Sequence, residues 1–263
     1  MNIEVILTPS ELPALKECDL RGAACVVFDV LRATSTFVTA LQNGAKAIVP
    51  VSEISEALAI RQQQPDVLLG GERDGVKIRA AQTGGVDFDF GNSPREYTPE
   101  KVRGKTIVST TTNGTRALRA CAGAKMVLAA SFLNCTTTAK FLCQLSPSQI
   151  VLVCAGTREN TALEDVLAAG ALCEMLEEGS SHCDGRTAQR VVPAQFSDSA
   201  TIALRTYREA KSDLAAAVQT SENARRLLSI PELRDDVTYC LQHDAFPLVV
   251  KRTEDGVTFV PVF

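Results

Sequence analysis

Short apolar runs alternate with helix-like patterns along most of the chain. The run at residues 23–30 predicts a buried strand, and a helical stretch follows it to about residue 43. Other apolar runs predict further strands at 1–7, 45–51, 105–109, 125–130 and 150–154. This alternation predicts an α/β fold in three layers (α/β/α), with helices on both faces of a largely parallel or mixed sheet.

The second half of the chain is more helical. An amphipathic helix is predicted from Thr161 to about Glu178, and residues 199–242 are predicted to be mostly helical. Two β-like segments, 246–251 and 257–262, follow. Because no long Pro/Gly/Ser linker interrupts the chain, we expect a single α/β domain over residues 1–263, with a mostly helical C-terminal third.

Two local features of the first half are also predicted. Ser52 is placed as the N-cap of a helix that ends before Pro65. Residues 70–97 are rich in Gly, Asp and Arg and lack periodicity, which predicts a long loop. Loops of that length inside a compact domain are often functional.

Charge and hydropathy narrow the classes of partner. The formal net charge of −4 argues against nucleic acid, because a mildly acidic protein does not hold a polyanion through bulk charge. No segment approaches the ~18 consecutive apolar residues of a membrane span, so no membrane partner is expected. The acidic start of the sequence is too short for a signal peptide. Any bound anion must therefore be held by a local site.

The cysteines and histidines offer no recognisable motif. Nine cysteines occur without a C-x-x-C pair, which favours reduced core thiols of a cytoplasmic protein over a disulfide framework or a zinc site. His182 and His243 lack flanking motifs and are expected at the surface. Catalysis is therefore expected to rest on carboxylates, hydroxyls, arginines and backbone amides.

A hydroxyl-rich turn follows the predicted strand at 105–109. Sites in parallel α/β sheets lie where strands end and helices begin, and a helix N-terminus attracts phosphate. The turn consists of Thr110, Thr111, Thr112, Asn113, Gly114 and Thr115. Asn113 and Gly114 tolerate left-handed angles that would aim N–H groups inward as an anion-binding nest. Helix capping is the alternative explanation. One cap needs only one such residue, and this turn has several in a row, so we expect it to bind phosphate.

Asp29 stands at the end of the apolar run 23–30. A carboxylate there is costly unless it is paired or binds a metal. Arg32 could pair with it. Alternatively, Asp29 is a Mg²⁺ ligand or a nucleophile, and Arg32 binds phosphate. The pattern partly resembles Asp-x-Asp of haloacid-dehalogenase phosphatases, but Leu31 occupies the second position.

Three other acidic residues are candidates. Glu164 fits a capping box with Thr161, whereas Asp165 has no such explanation and is a metal-site candidate. Glu72 offers another oxygen ligand and Arg73 a fork for phosphate, with a solvated Glu–Arg pair as the alternative. The remaining candidates for contacting substrate are Thr34, Ser35, Asn92, Gly156, Thr157 and Arg158.

Several strings together resemble the 2-phosphosulfolactate phosphatase family, in family order and over most of the chain. They are FDVLRATS (28–35), GER (71–73), GNSP (91–94), TTTNGT (110–115), CAG (154–156), LED (163–165) and DV (236–237) with Cys240. Residues 79–86 depart from the pattern as an insertion. The resemblance implies an α/β fold, Mg²⁺ dependence and hydrolysis of 2-phosphosulfolactate to sulfolactate, a step of coenzyme M biosynthesis.

Residues and resemblance together predict a phosphatase for a small anionic phosphomonoester. Asp29, Glu72 and Asp165 are the expected Mg²⁺ ligands, and Asp29, Arg32 and Thr111 the expected catalytic residues. Arg158 is expected to bind the substrate's carboxylate or sulfonate. The residues do not distinguish direct attack by water from formation of a phosphoenzyme. A homodimer is also expected, although no sequence pattern specifies it. The alternatives are a non-catalytic binding protein for a phosphorylated metabolite and a haloacid-dehalogenase-like phosphatase with Asp29 as nucleophile.

Overall fold

The computed structural model describes residues 1–179 and 193–262. The strands are β1 Asn2–Ile6, β2 Ala23–Phe28, β3 Ala47–Pro50, β4 Leu68–Arg73, β5 Val76–Lys77, β6 Thr106–Thr110, β7 Met126–Ala130, β8 Gln149–Cys154, β9 Gln195–Phe196, β10 Val249–Arg252 and β11 Phe259–Val262. The helices are α1 Leu12–Glu17, α2 Ala33–Gln42, α3 Ile54–Gln63, α4 Ala80–Thr83, α5 Pro99–Val102, α6 Gly114–Ala120, α7 Cys135–Leu145, α8 Leu163–Gly179, α9 Asp198–Ala210, α10 Leu214–Gln219, α11 Glu222–Leu228 and α12 Arg234–Cys240.

The described strands form one mixed sheet in the order β5-β4-β6-β3-β11-β10-β7-β2-β8-β1-β9. Strands β4, β6 and β3 are mutually parallel, and so are β7, β2, β8, β1 and β9. The antiparallel hairpin β10–β11 joins these two blocks: β10 pairs with β7, and Phe259 of β11 pairs with Ile48 of β3. The predicted largely parallel or mixed sheet is confirmed.

Helices cover both faces of this sheet, because strands buried on both sides must pack against an apolar layer on each. Successive residues of β2 illustrate the arrangement. Val26 and Phe28 face a core shared with α7, α8 and α9, whereas Cys25 and Val27 face a second core shared with α1, α2 and α6. The three-layer prediction is therefore confirmed. A smaller apolar cluster lies between α3 and the β4–β6 edge.

The predicted strands at 23–30, 45–51, 105–109, 125–130 and 150–154 all occur within about two residues of their expected limits, as does β1. The C-terminal helices and the final two strands are also confirmed.

Two local predictions are wrong. Glu53, not Ser52, stands at the N-cap of α3. Residues 70–97 are not a continuous loop, because the β4–β5 hairpin occupies its start and α4 follows.

The chemistry-bearing residues outside the site are placed as follows. Six cysteines are buried free thiols: Cys25, Cys121, Cys135, Cys154, Cys173 and Cys240. His243 is exposed, as predicted. His182 and Cys183 lie outside the described residues. Within the described ranges, no helix combines the length and apolar character needed to cross a bilayer.

Candidate functional site

A narrow cleft of about 40 Å³ lies where the turns after β2, β6 and β8 meet the β4–β5 hairpin. The residues lining it are Asp29, Leu31, Arg32, Glu72, Asp74, Gly75, Asn92, Thr112, Asn113, Thr157, Arg158 and Arg226. Strands β2 and β8 are parallel neighbours, so their turns adjoin. Strand β6 belongs to the other block, with four strands between it and β2, yet its turn reaches the same place. The sheet thus brings together the three predicted turns.

Asp29 follows β2 and is buried, with 7% of its surface exposed. Its Oδ1 accepts a hydrogen bond of 3.1 Å from the Ala33 N–H at the start of α2. The Asp29 N–H donates to Thr34 Oγ1 at 3.0 Å, and the Ser35 hydroxyl donates to the Val30 carbonyl. Thr34 and Ser35, predicted to contact substrate, instead close this turn and do not line the cleft. Local bonds therefore fix the direction of the Asp29 carboxylate.

Burial raises the pKa of Asp29 to about 6, and the negative charges of Glu72 and Glu164 add to this effect. The Ala33 N–H and the charge of Arg32 act in the opposite direction. A cation beside Asp29 would stabilise its ionised form and reverse the shift. Perturbed carboxyl groups in clefts are typical of functional sites.

Glu72 lies in β4 and is buried, which excludes the solvated Glu–Arg pair considered above. Its Oε1 accepts from both the N–H and the hydroxyl of Thr112, each at 2.9 Å. Its Oε2 accepts from the Gly75 N–H at 2.6 Å. Glu72 therefore connects the β4–β5 turn to the turn after β6.

The Thr-rich turn after β6 divides into two parts. Thr111 and Thr115 bond to each other: the Thr115 N–H donates to Thr111 Oγ1 at 3.3 Å, and the Thr111 N–H donates to Thr115 Oγ1 at 3.4 Å. Both side chains are buried and do not line the cleft, so their mutual bonds hold the first turn of α6, whose N-cap residue is Asn113. Thr112 and Asn113 line the cleft.

The expected left-handed backbone in this turn is wrong. Asn113 has φ −109° and ψ −50°, and Gly114 does not have a positive φ. Gly114 is needed for space: a Cβ there would lie 2.8 Å from Asp29 Oδ2 and 2.8 Å from the Ala33 Cβ. The glycine therefore lets the β6 turn approach the β2 turn closely.

Arg32 does not pair with Asp29. Its Nη1 donates to Asp236 Oδ2 at 2.7 Å and its Nη2 to the Gly75 carbonyl at 2.8 Å. Asp236 is fully buried, and its Oδ1 accepts from Ser93 Oγ at 2.7 Å. Arg32 lines the cleft, but two of its donors are already engaged. Its main contacts attach α12 and the β4–β5 turn to the β2 turn.

Arg73 is directed to the neighbouring backbone and not to the cleft lining. Its guanidinium donates to the Glu72 carbonyl, the Ser52 carbonyl and Thr110 Oγ1, at 2.8 to 3.0 Å. The structure therefore does not place Arg73 with the other predicted phosphate-binding residues.

The sequence assigned Asp165 to a metal site and Glu164 to a capping box, and the structure supports neither assignment. Both Asp165 oxygens accept backbone N–H groups, from Val30 at 2.8 Å and from Gly156 at 3.0 Å, so the side chain joins the β2 and β8 turns. Burial raises the pKa of Asp165 well above its ordinary value, and Glu164 and Asp29 contribute. Asp165 does not line the cleft.

Glu164 does not close the predicted capping box with Thr161. Only 1% of its surface is exposed, and its Oε1 accepts from Asn223 Nδ2 at 2.8 Å. Its Oε2 is buried and has no hydrogen-bond partner among the described residues. A buried carboxylate oxygen without a partner is costly and calls for a ligand, an ion or a proton.

The turn after β8 contributes the remaining predicted residues. Thr157 lines the cleft and its Oγ1 accepts from Asn223 Nδ2 at 2.6 Å. Arg158 also lines the cleft, and its backbone N–H donates to Asn113 Oδ1 at 3.2 Å. Gly156 has φ +65° and lies behind the lining, as the donor to Asp165. Asn92 lines the cleft from the segment after α4.

The sequence reasoning missed Arg226, Asn223, Asp74 and Gly75. Asp74 and Gly75 form the β4–β5 turn, hidden within the predicted loop. Asn223 and Arg226 lie in α11, which carries no motif. One signal was present: Asn223 shares a helix face with the buried Leu227, and a polar residue on an apolar face needs partners.

The donor chemistry of the cleft suits a hard cation only in part. Within residues 1–179 and 193–262, no group of three or more His, Cys, Asp or Glu side chains forms a ready-made metal cage. Mg²⁺ does not require one, because it commonly takes one or two carboxylates, several waters and substrate phosphates. Asp29 lines the cleft and fits that mode, and the unpartnered Glu164 Oε2 lies outside the lining but near enough for the Glu164 charge to raise the pKa of Asp29.

Comparison with known proteins identifies the family. A family model described as 2-phosphosulpholactate phosphatase matches residues 7–255. A protein of Clostridium acetobutylicum is 34% identical over 258 residues, covering 98% of this chain and all of its own length. Relatives from Caldanaerobacter subterraneus subsp. tengcongensis (36% identical; 90% of this chain and 91% of its own) and Thermotoga petrophila (40%; 85% and 86%) are similar over most of their lengths. All three are named probable 2-phosphosulfolactate phosphatase. The chain therefore belongs to the 2-phosphosulfolactate phosphatase family.

Proposed function

We propose that this protein is a Mg²⁺-dependent phosphatase that hydrolyses 2-phosphosulfolactate, or a similar small phosphorylated hydroxy acid, to sulfolactate and phosphate. Its family membership supports the reaction class. The observation that carries the proposal is the meeting of buried carboxylates with arginines in one cleft: Asp29 and Glu72 face it together with Arg158 and Arg226. Carboxylates can hold a cation that bridges to phosphate, and arginines can hold the anionic substrate.

Asp29 and Glu164 are the proposed Mg²⁺ ligands, with Glu72 as the third candidate. Neither side chain lines the cleft, and Glu164 replaces Asp165 because its Oε2 lacks a partner, whereas both Asp165 oxygens are occupied by backbone N–H groups. Bound Mg²⁺ would offset negative charge that develops on the phosphate oxygens. Glu72 orients the Thr112 hydroxyl and the Gly75 turn towards the same cleft.

The chain's own groups would hold the phosphate at the turn after β6. Thr112 and Asn113 line the cleft there, and Arg158 adjoins them through its bond to Asn113. Thr111 stays outside this set because its hydroxyl accepts the Thr115 N–H and does not line the cleft. Geometry adds no support to the haloacid-dehalogenase-like alternative, since Leu31 lines the cleft where that pattern places a second aspartate.

The proposal is tested directly by incubating the protein with 2-phosphosulfolactate and measuring the phosphate that is released. We expect turnover in Mg²⁺, loss in excess chelator and recovery when Mg²⁺ is restored. Asp29→Asn should lower kcat/KM by about 100-fold or more, whereas Asp235→Asn, an exposed neighbour of the buried Asp236, should change it less than about 2-fold. Full activity in chelator would contradict the metal. Binding of 2-phosphosulfolactate without hydrolysis would favour the non-catalytic binding protein.

Three wider features belong to the same proposal: a place in coenzyme M biosynthesis, a cytoplasmic location and a homodimer. The mass of the protein in solution by light scattering tests the dimer, and a monomer would contradict it. The reduced state of the cysteines on purification under non-reducing conditions tests the compartment. Labelled sulfolactate traced into coenzyme M in the host tests the pathway.

A further inference from the structure

Arg226 is a half-buried arginine of α11 that reaches the cleft from outside the two strand blocks. Its guanidinium lies beside the β4–β5 turn, with Cζ 3.6 Å from the position that a Cβ on Gly75 would take. Arg226 lies in none of the sequence strings that resemble the family. It therefore adds a positive charge to the site that local sequence did not indicate.

The hydrogen bonds of Arg226 are incomplete. Nη2 donates to Asn223 Oδ1 at 3.2 Å, whereas Nε is buried and has no partner in the described part of the chain. No carboxylate among those residues forms an ion pair with it. A buried donor without an acceptor is costly, so its retention at a cleft indicates a ligand that supplies the acceptor.

The other arginines near the site differ from it. Arg32 is neutralised by the buried Asp236, and Arg73 donates to backbone carbonyls and Thr110. Arg158 adjoins Asn113 in the β6 turn, where the phosphate is proposed to lie. Arg226 adjoins Gly75 in a different turn. The cleft therefore offers a second cationic position separate from the proposed phosphate position.

Asn223 fixes the direction of Arg226. Its Nδ2 donates to Thr157 Oγ1 at 2.6 Å and to Glu164 Oε1 at 2.8 Å, so its Oδ1 is the atom left to accept from the guanidinium. This network holds the guanidinium fork at the cleft before any ligand arrives, which lowers the entropic cost of binding.

We propose that Arg226 binds the second anionic group of the substrate, a carboxylate or sulfonate, and so makes the enzyme selective for phosphorylated acids over phosphomonoesters that lack a second acid group. The inference rests on the proposed phosphatase function. A planar guanidinium fork suits the paired oxygens of such a group. A phosphomonoester without a second acid group leaves the fork without its acceptor and is rejected.

The test compares Arg226→Met with Arg225→Met, a matched change at the exposed arginine beside it. The substrates are 2-phosphosulfolactate, 2-phospholactate and glycerol 2-phosphate, which carry both acid groups, the carboxylate alone and neither. Arg226→Met should lower kcat/KM about 10- to 100-fold on an acid substrate and less than about 3-fold on glycerol 2-phosphate. Loss on both acid substrates assigns the carboxylate, and loss on 2-phosphosulfolactate alone assigns the sulfonate. Equal loss on all three, or no loss, would overturn the inference.

Binding of sulfolactate by calorimetry separates this inference from the proposed function. If the wild-type protein hydrolyses none of the three substrates, the phosphatase proposal fails, and binding alone decides the role of Arg226. Wild type and Arg225→Met should then bind sulfolactate, with affinity at least about 10-fold weaker in Arg226→Met. Equal affinities, or no binding by the wild type, would overturn the inference.

Discussion

Gly114 packs against the Asp29 carboxylate, with no space between them for a side chain. A Cβ on Gly114 would lie 2.8 Å from Asp29 Oδ2 and 3.2 Å from Thr111 Oγ1. The two residues come from different blocks of the sheet, so this contact determines how closely the blocks approach at the cleft.

Gly114→Ala should therefore displace the Asp29 carboxylate. We expect kcat/KM to fall by about 100-fold, because a displacement of about 1 Å in a catalytic site has that effect. Overpacking should also lower the free energy of unfolding by about 1–3 kcal/mol. Gly123→Ala is the control, since a Cβ at Gly123 meets no atom within 4 Å. Steady-state kinetics and urea unfolding on both variants check the prediction, and similar behaviour of the two would contradict it.

Thr111 and Thr112 are adjacent but should respond differently to truncation. Thr111→Ala should lower the free energy of unfolding by about 1 kcal/mol and leave kcat/KM nearly unchanged, because Thr111 Oγ1 accepts the Thr115 N–H in the first turn of α6 and lies outside the cleft lining. Thr112→Ala should lower kcat/KM about 10-fold with little effect on stability, since its hydroxyl donates to Glu72 at the cleft. Melting temperature and kcat/KM are measured on each variant. A larger kinetic loss in Thr111→Ala would return Thr111 to the phosphate-binding set.

The buried pair of Arg32 and Asp236 should be sensitive to loss of one partner. Asp236→Ala leaves an uncompensated buried guanidinium and should lower the free energy of unfolding by about 3–5 kcal/mol. Asp235→Ala is the matched control: it removes only an exposed pair with Arg95 and should cost less than about 1 kcal/mol. Denaturant unfolding of both variants gives the comparison. Equal, small losses would show that the Arg32 charge is compensated elsewhere.

Stability without metal should depend on the ionisation of Asp29. Its folded pKa of about 6 lies above its ordinary 3.8, so the folded state binds the proton more tightly than the unfolded state. The penalty for the buried charge is therefore fully present above pH 6 and disappears as the pH falls towards 4. In chelator, Asp29→Asn should be more stable than wild type by about 1–3 kcal/mol at pH 7.5, and equally stable near pH 4.

Urea unfolding of both proteins at the two pH values measures that difference. Added Mg²⁺ provides the control, because it should stabilise wild type at pH 7.5 more than Asp29→Asn if Asp29 is a ligand. A variant that is less stable than wild type at pH 7.5 in chelator would contradict the raised pKa.

The apolar runs predicted most strands because each run is buried on both faces of the sheet. Strand β4 was not predicted, because its residues Gly70, Gly71, Glu72 and Arg73 are poor strand formers. A Cβ on Gly71 would lie 2.3 Å from the Thr110 carbonyl oxygen, so the glycine is required by the neighbouring strand. A requirement set by a residue almost forty positions away leaves no local pattern.

The candidate site was predictable where its residues follow strands. Asp29, Thr112 and Asn113 were found from their positions in strand-to-helix turns, and they line the cleft. The choice between Glu164 and Asp165 was not predictable, because it depends on which backbone amides and which Asn223 surround them in space. Arg226 could not be predicted from the sequence for the same reason.

The β10–β11 hairpin has a consequence for synthesis on the ribosome. These strands occupy the middle of the sheet, yet residues 249–262 emerge after every other described strand has been made. Until then the block that carries Asp29 and the block that carries Glu72 lack the strands that join them, and β3 and β7 expose unpaired edges. The nascent chain therefore cannot complete its cleft before the hairpin has emerged. It must protect two apolar strand edges from intermolecular pairing until the hairpin has emerged and paired with them.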